Sequence, residues 1–158
     1  MYEDFLIHDF LFIIRCDASK GQAKMMNIEE NAYKKMVSIF ETLAHEEKSS
    51  FHGYFAGDMI RVNRKSSVHP VFIGFSGRSL TIVNLSRELE KEQVMEIPLA
   101  QLKEISMKKR FLSKFYTLSI KLAGSSSYIV GVPHTLTYIP VQRENVDLFL
   151  VSDFFLKN

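Results

Sequence analysis

The sequence has only one cysteine, Cys16, and no tryptophan among its 158 residues. A single cysteine cannot form an internal disulfide, and a lone thiol is common in proteins of the reducing cytosol. We therefore expect a cytoplasmic protein whose fold depends on its hydrophobic core.

The chain also lacks an apolar run of the roughly 18 to 20 residues that a membrane-spanning helix needs. His8 and Asp9 interrupt the apolar patch at residues 5–14, and Glu3 and Asp4 stand where a signal peptide carries positive charge. These features argue against export and membrane insertion. A peripheral position at the inner membrane surface is still compatible with them.

Charge of one sign is not in large excess, because the formal net charge is +2 and 24% of the residues are charged. This balance is far from the signature of disorder or of a dedicated nucleic-acid binder. The 46% apolar content supplies an ordinary core for one domain. Any electrostatic site must therefore be local.

Catalytic and metal-binding motifs are missing as well. The sequence has no Gly-x-Ser-x-Gly elbow, no glycine-rich phosphate loop and no His-Glu-x-x-His motif, and its five histidines form no pair at a metal-ligand interval. We predict a non-enzymatic protein without a cofactor or a metal. In the enzymatic alternative, the polar side chains to inspect are His134, Tyr138 and Arg143, in the connection that follows the last strand.

An amphipathic helix is predicted over residues 27–48. Asn27 and Glu30 match the spacing of a capping box, and apolar residues follow at intervals of three and four. This apolar face must pack either on the following sheet or on a partner chain. Ahead of the helix, residues 1–26 form an apolar segment and a connection, with a strand expected at 5–15 and a loop at 17–26.

Seven antiparallel strands are predicted after the helix, because short alternating apolar segments are separated there by turn residues. They span residues 53–62, 71–75, 80–85, 94–97, 105–108, 115–122 and 128–132. Ser76-Gly77-Arg78-Ser79 is a tight turn whose glycine permits a positive φ. An apolar stripe over 145–156 indicates a closing helix with Asn145 as its N-cap.

The order of these elements, together with several local phrases, resembles the bacterial pleckstrin-homology-like (PH-like or GRAM-like) domains. The phrases are LAHEE at 43–47, LTIV at 80–83, IPL at 97–99, LKEIS at 102–106 and KKRFLSK at 108–114. The resemblance covers about residues 35–156. It implies an α+β, mostly antiparallel fold over 49–158, a seven-stranded partly open barrel or sandwich with a C-terminal helix, and a binding or assembly role.

Two basic groups are candidate contacts for an anion or an acidic lipid. Residues 99–121 hold six basic side chains and one acidic one, a local net charge of +5. Lys108, Lys109, Arg110 and Lys114 crowd one hairpin, with Phe111 and Leu112 as an apolar wedge at its tip. Arg61, Arg64 and Lys65 occupy the loop between the first two strands. The alternative is that these lysines are solvated and discourage edge-to-edge strand pairing.

The first functional hypothesis is a protein-binding module whose partner includes a second copy of itself. Its candidate interface residues are Phe5, Phe10, Phe12, Met36 and Phe40, because the N-terminal segment and the helix carry more apolar surface than a closed β domain needs. The alternative is peripheral binding to anionic lipid through the hairpin 108–114. Nucleic-acid binding is disfavoured, although aromatic residues alternate with basic ones in that hairpin.

Overall fold

The computed structural model describes the backbone of residues 22–155 and the side chains of residues 31–155. The strand predicted at 5–15 and the candidate interface residues Phe5, Phe10 and Phe12 lie outside the described residues. The described chain begins with helix α1 (Gln22–Glu47) and ends with helix α2 (Gln142–Leu150) and a short turn. Between the helices lie β1 (Gly53–Val62), β2 (Lys65–Phe75), β3 (Ser79–Leu85), β4 (Lys91–Pro98), a short 3-10 helix (Leu99–Gln101), β5 (Leu102–Lys109), β6 (Phe115–Leu122) and β7 (Ser127–Pro133).

The seven strands form one antiparallel sheet in the order β4-β3-β2-β1-β7-β6-β5. The sheet curls into a half-barrel whose two edges are β4 and β5, so the predicted α+β, partly open barrel is confirmed. All seven predicted strands are present, and the bounds of β1 and β6 are those expected. The largest difference is that β2 begins at Lys65 rather than at 71, since a tight turn pairs it with the end of β1.

Helix α1 begins at Gln22, earlier than the predicted start at Asn27. Residues 22–26 are therefore helical rather than part of a connection. The prediction that a capping box at Asn27 and Glu30 starts the helix is wrong. Gln-Ala-Lys-Met-Met is composed of strong helix formers, and nothing within it interrupts a helix. The capping spacing arises here inside a helix that has already started.

The apolar face of α1 is buried on the outer face of the sheet. Its contacts there are buried side chains of β1, β2 and β3, among them Phe72 and Val83. The Phe40 ring stacks on Tyr54 at a centroid distance of 5.0 Å. Gly74 lies directly beneath Phe40, where a Cβ atom would come within 2.4 Å of the ring. The sheet therefore covers the apolar face of α1. The expectation that Met36 and Phe40 offer a surface to a partner is wrong, because both side chains are buried in their own chain.

Helix α2 closes one end of the half-barrel. Val146 and Phe149 are buried in the inner core, and Phe154 follows them into it after the helix has ended. The Phe149 ring lies 5.0 Å from Phe75 and 5.2 Å from Phe55, measured between centroids. The predicted closing helix is thus present but begins at Gln142 and ends at Leu150, shorter than 145–156.

Asn145 is not the N-cap of α2, because it lies one turn inside the helix, where its Nδ2 donates to the Tyr54 carbonyl at 2.7 Å. The start of α2 is instead held by the buried Gln142. Its Nε2 donates to the carbonyls of Ala56 at 2.8 Å and Pro133 at 2.7 Å, and its Oε1 accepts from the Ala56 amide at 2.8 Å. One side chain therefore joins α2 to both β1 and β7.

Replacing Gln142 with alanine is expected to lower the free energy of unfolding by about 1–3 kcal/mol, because buried backbone groups of Ala56 and Pro133 lose their partner. Urea unfolding followed by circular dichroism measures the change. Glu144→Ala, an exposed site two residues along the same helix, is the control and should change stability by less than about 0.5 kcal/mol. Equal effects of the two substitutions would show that the Gln142 hydrogen bonds do not stabilise the fold.

The predicted turn at 76–79 is confirmed, with the Ser76 amide donating to the Ser79 carbonyl at 3.0 Å. Ser76 Oγ also accepts from the amides of Arg78 and Ser79, each at 3.2 Å. Gly77, however, does not take a positive φ. The serine side chain shapes this turn, so the left-handed freedom of glycine is not used.

Candidate functional site

The hairpin between β5 and β6 carries the candidate site, which we name the basic tip and define as residues 108–114. The Arg110 amide donates to the Phe115 carbonyl at 2.9 Å and closes the loop. Ser113 lies within it, its amide donating to the Arg110 carbonyl at 3.3 Å and its Oγ accepting from the Phe115 amide at 3.2 Å. These bonds hold the loop in shape without any contribution from Phe111 or Leu112.

Phe111 and Leu112 project into solvent, with 92% and 91% of their surface exposed. Leu112 also has a φ of 57°, a left-handed conformation that costs a non-glycine residue about 1–2 kcal/mol. Two exposed apolar side chains on a strained backbone stabilise nothing in their own chain. Such an arrangement is typical of a contact surface.

The charged residues of the basic tip itself are all positive. Lys108, Lys109, Arg110 and Lys114 give the basic tip a charge of +4 with no acidic residue. The positive potential extends along the hairpin, where a hydrogen bond and the charge of Lys121 lower the pKa of Glu104, with smaller contributions from Lys103 and Lys108. Within seven residues the basic tip therefore presents two exposed apolar side chains and four cationic ones.

The second basic group lies at the opposite end of the half-barrel. Asn63 and Arg64 form a two-residue turn with φ values of 49° and 68°, whereas Arg61 belongs to β1 and Lys65 to β2 rather than to the predicted loop. This turn adjoins the start of β7, while the basic tip adjoins its end, where Phe115 pairs with Pro133. Since β7 rises about 3.3 Å per residue, the two groups are about 20 Å apart and do not form one site.

Of the three polar residues named for the enzymatic alternative, only two lie close together. His134 Nε2 lies 2.8 Å from Asp147 Oδ1, and Arg143 Nε lies 3.9 Å from the other oxygen of the same carboxylate. Tyr138 packs instead on the outer core beneath α1. Within residues 31–155, no group of three or more histidine, cysteine or acidic side chains is placed to hold a metal ion. The absence of an enzymatic activity stays a prediction.

Two polar features of the barrel were not anticipated from the sequence. His69 bridges Ser67 and Asn84, with its Nδ1 3.2 Å from Ser67 Oγ and its Nε2 3.0 Å from Asn84 Oδ1. On β1, burial raises the pKa of the Asp58 carboxyl to about 7. Neither residue stood in a recognisable motif, because both are brought into these surroundings by strand pairing.

Among the described residues, no helix combines the length and the hydrophobicity needed to cross a bilayer.

Comparisons with known proteins bear on the fold. The sequence matches no protein-family model and no curated protein. Among solved structures, the C-terminal domain of an unknown protein from Leishmania infantum matches with a TM-score of 0.51 and 11% identity, covering 74% of this chain and 94% of that one. The hSac2 domain of the human phosphoinositide phosphatase Sac2 has a TM-score of 0.46 and 13% identity, covering 75% of this chain and 78% of that one.

At this low identity, the likeness to the Leishmania domain concerns the fold alone. The curled antiparallel sheet with its C-terminal helix fits the PH-like fold in general. Membership of the bacterial family that the sequence resembles stays a prediction.

Proposed function

We propose that this protein is a non-enzymatic binding module that contacts an anionic membrane surface through its basic tip. The observation that carries the proposal is the exposed pair Phe111 and Leu112, framed by four cationic side chains. If the chain is a cytoplasmic protein of a bacterium, as predicted from its sequence, the target is the inner face of the cell membrane.

The two kinds of side chain contribute in different ways. Each basic residue near an anionic surface contributes about 1 kcal/mol, and this contribution falls as salt screens the charges. Burial of a phenylalanine or leucine side chain contributes about 1.5–3 kcal/mol and is insensitive to salt. Together they support reversible binding, even after the entropy lost on association is subtracted.

A partner protein bound through α1 is less well supported. Met36 and Phe40 were among the grounds for that hypothesis, and both are buried against the sheet. The remaining grounds, Phe5, Phe10 and Phe12, lie outside the described residues. The basic tip, by contrast, is exposed and carries charges that complement acidic lipid headgroups.

Vesicle co-sedimentation tests the proposal. The full chain is expected to bind vesicles that contain phosphatidylserine or phosphatidylglycerol and not vesicles of phosphatidylcholine alone, and to dissociate as salt is raised. Phe111→Ser combined with Leu112→Ser should weaken binding by at least about tenfold, because the apolar wedge is lost. Binding of this double variant at the affinity of the unchanged protein would refute the assignment of the tip.

Two charge variants separate the basic tip from the second basic group. Lys108→Ser with Lys109→Ser removes two cations at the tip, and Arg64→Asn with Lys65→Ser removes two at the opposite end, so both lose the same net charge. We expect only the first pair to weaken vesicle binding, by about 10- to 30-fold. Equal losses would mean that overall charge, and not the tip, directs the protein to the membrane.

A further inference from the structure

Large apolar side chains are exposed at two places in the described part of the chain. One is the basic tip, and the other is helix α2 and its end, where Leu148 is 43% and Val151 is 74% exposed. The two residues are one helical turn apart and share a face of α2. Their neighbours Val146 and Phe149 point into the barrel, so Leu148 and Val151 are not needed to close it.

A groove of about 220 Å³ lies beside this second place, between α2 and the turn that joins β2 to β3. Phe75, Leu148, Val151 and Phe154 provide its apolar wall, and Ser152 and Asp153 lie at its polar side. A cavity of about 150 Å³ can hold a benzene molecule. The groove is therefore large enough for one aromatic or leucine side chain.

The α2 side of the groove has a charge opposite to that of the basic tip, while the exposed Arg78 belongs to the turn on its other side. Glu144, Asp147 and Asp153 are exposed on α2 and just after it, with Arg143 as the one basic residue over 142–155, so this segment has a net charge of −2. The tip presents two apolar side chains with four cations. The α2 side of the groove presents two apolar side chains and acidic residues, of which Asp153 lines the groove and Asp147 is already paired with His134 and Arg143. This side of the groove matches the tip in hydrophobicity and in the sign of its charge.

Both surfaces lie at the same end of the half-barrel. The His134 amide donates to the Lys114 carbonyl at 2.8 Å, and the His134 ring bonds Asp147 on α2, so one residue connects the base of the tip to the helix. The tip does not fill the groove of its own chain, because Phe111 and Leu112 are almost fully exposed. Two copies meeting end to end can therefore exchange tips reciprocally, which closes a two-fold dimer rather than a filament.

We infer that two copies of this chain form such a dimer, in which the basic tip of each copy inserts one of its two apolar side chains into the α2 groove of the other and packs the second against the exposed Leu148 and Val151. The inference does not depend on membrane binding, since it concerns what the tip contacts when no membrane is present. In the dimer both tips are covered, so self-association and vesicle binding compete for the same side chains.

Light scattering and sedimentation of the full chain test this inference with two variants. One is Phe111→Ser with Leu112→Ser, which keeps the groove and loses the tip, and the other is Leu148→Ser with Val151→Ser, which keeps the tip and loses the groove. The unchanged protein is expected to be a dimer at about 100 μM, and each variant should associate at least about 30-fold more weakly. An equimolar mixture of the two variants should associate more strongly than either variant alone, because one of the two tip-groove contacts can still form.

Three outcomes would overturn the inference. The first is a monomeric mass for the unchanged protein at that concentration, and the second is a dimer that survives both pairs of substitutions. The third is a mixture that associates no more strongly than either variant alone, which would indicate tip-to-tip or groove-to-groove contacts. A monomeric protein that still binds anionic vesicles through its tip would refute the dimer and leave the proposed function standing.

Discussion

Replacing Phe149 with alanine is expected to lower the free energy of unfolding by about 3–5 kcal/mol, the range typical of large core aromatics. Phe149 is fully buried, and its ring lies 5.0–5.5 Å between centroids from those of Phe55, Phe75, Phe154 and Phe155. The substitution removes the central ring of this cluster, and rigid strands on either side prevent the cavity from collapsing.

Urea unfolding followed by circular dichroism measures this loss. Glu144→Ala, on the exposed side of the same helix, is the control and is expected to cost less than about 0.5 kcal/mol because no area leaves the core. A loss at Phe149 as small as that at Glu144 would show that α2 does not close the barrel as described.

The stability of the protein is expected to fall as the pH rises from about 4 to 7, and Asp58→Asn should abolish most of this fall. Burial raises the pKa of Asp58 from its ordinary value of 3.8 to about 7 in the folded state. Between these two values the unfolded chain releases the proton while the folded chain keeps it, so rising pH favours unfolding. Below pH 3.8 both states are protonated and the effect vanishes; above pH 7 it is complete.

The size of the effect follows from the shift, since each pKa unit corresponds to about 1.4 kcal/mol. We expect Asp58→Asn to stabilise the protein by about 2–4 kcal/mol at pH 8 and to change little at pH 4. Urea unfolding at a series of pH values measures the profile, with Asp153→Asn, an exposed site, as the control. Parallel profiles for Asp58→Asn and the unchanged protein would contradict the burial of this carboxyl.

Local patterns in the sequence were sufficient to predict the strands. The bounds of β1 and β6 follow from the alternation of apolar and polar residues, and the turn at 76–79 follows from its small polar composition. Both signals depend on residues that are close together in the chain, so they can be recognised without knowledge of the tertiary fold. The start of α1 was misjudged because capping side chains also occur inside helices.

The candidate site was predictable in composition but not in arrangement. The sequence alone identified the basic tip with its apolar pair and the second basic group around Arg64. It could not tell that strand pairing puts the two about 20 Å apart, nor that the sheet buries Met36 and Phe40, whereas the exposure of Phe111 and Leu112 at the tip was predicted and is confirmed. The pattern of apolar residues in a sequence does not show which surface will cover each of them.

The sequence by itself thus determined the elements of this protein: a helix, seven strands, a closing helix and a cationic hairpin with an apolar tip. Only the tertiary structure decided that the sheet covers α1, that Gln142 joins α2 to β1 and β7, and that partial burial on β1 raises the pKa of Asp58. The physical reason is the range of the interactions. Periodicity and turn chemistry act within a few residues, whereas burial and hydrogen bonding between distant segments arise only when the sheet has formed.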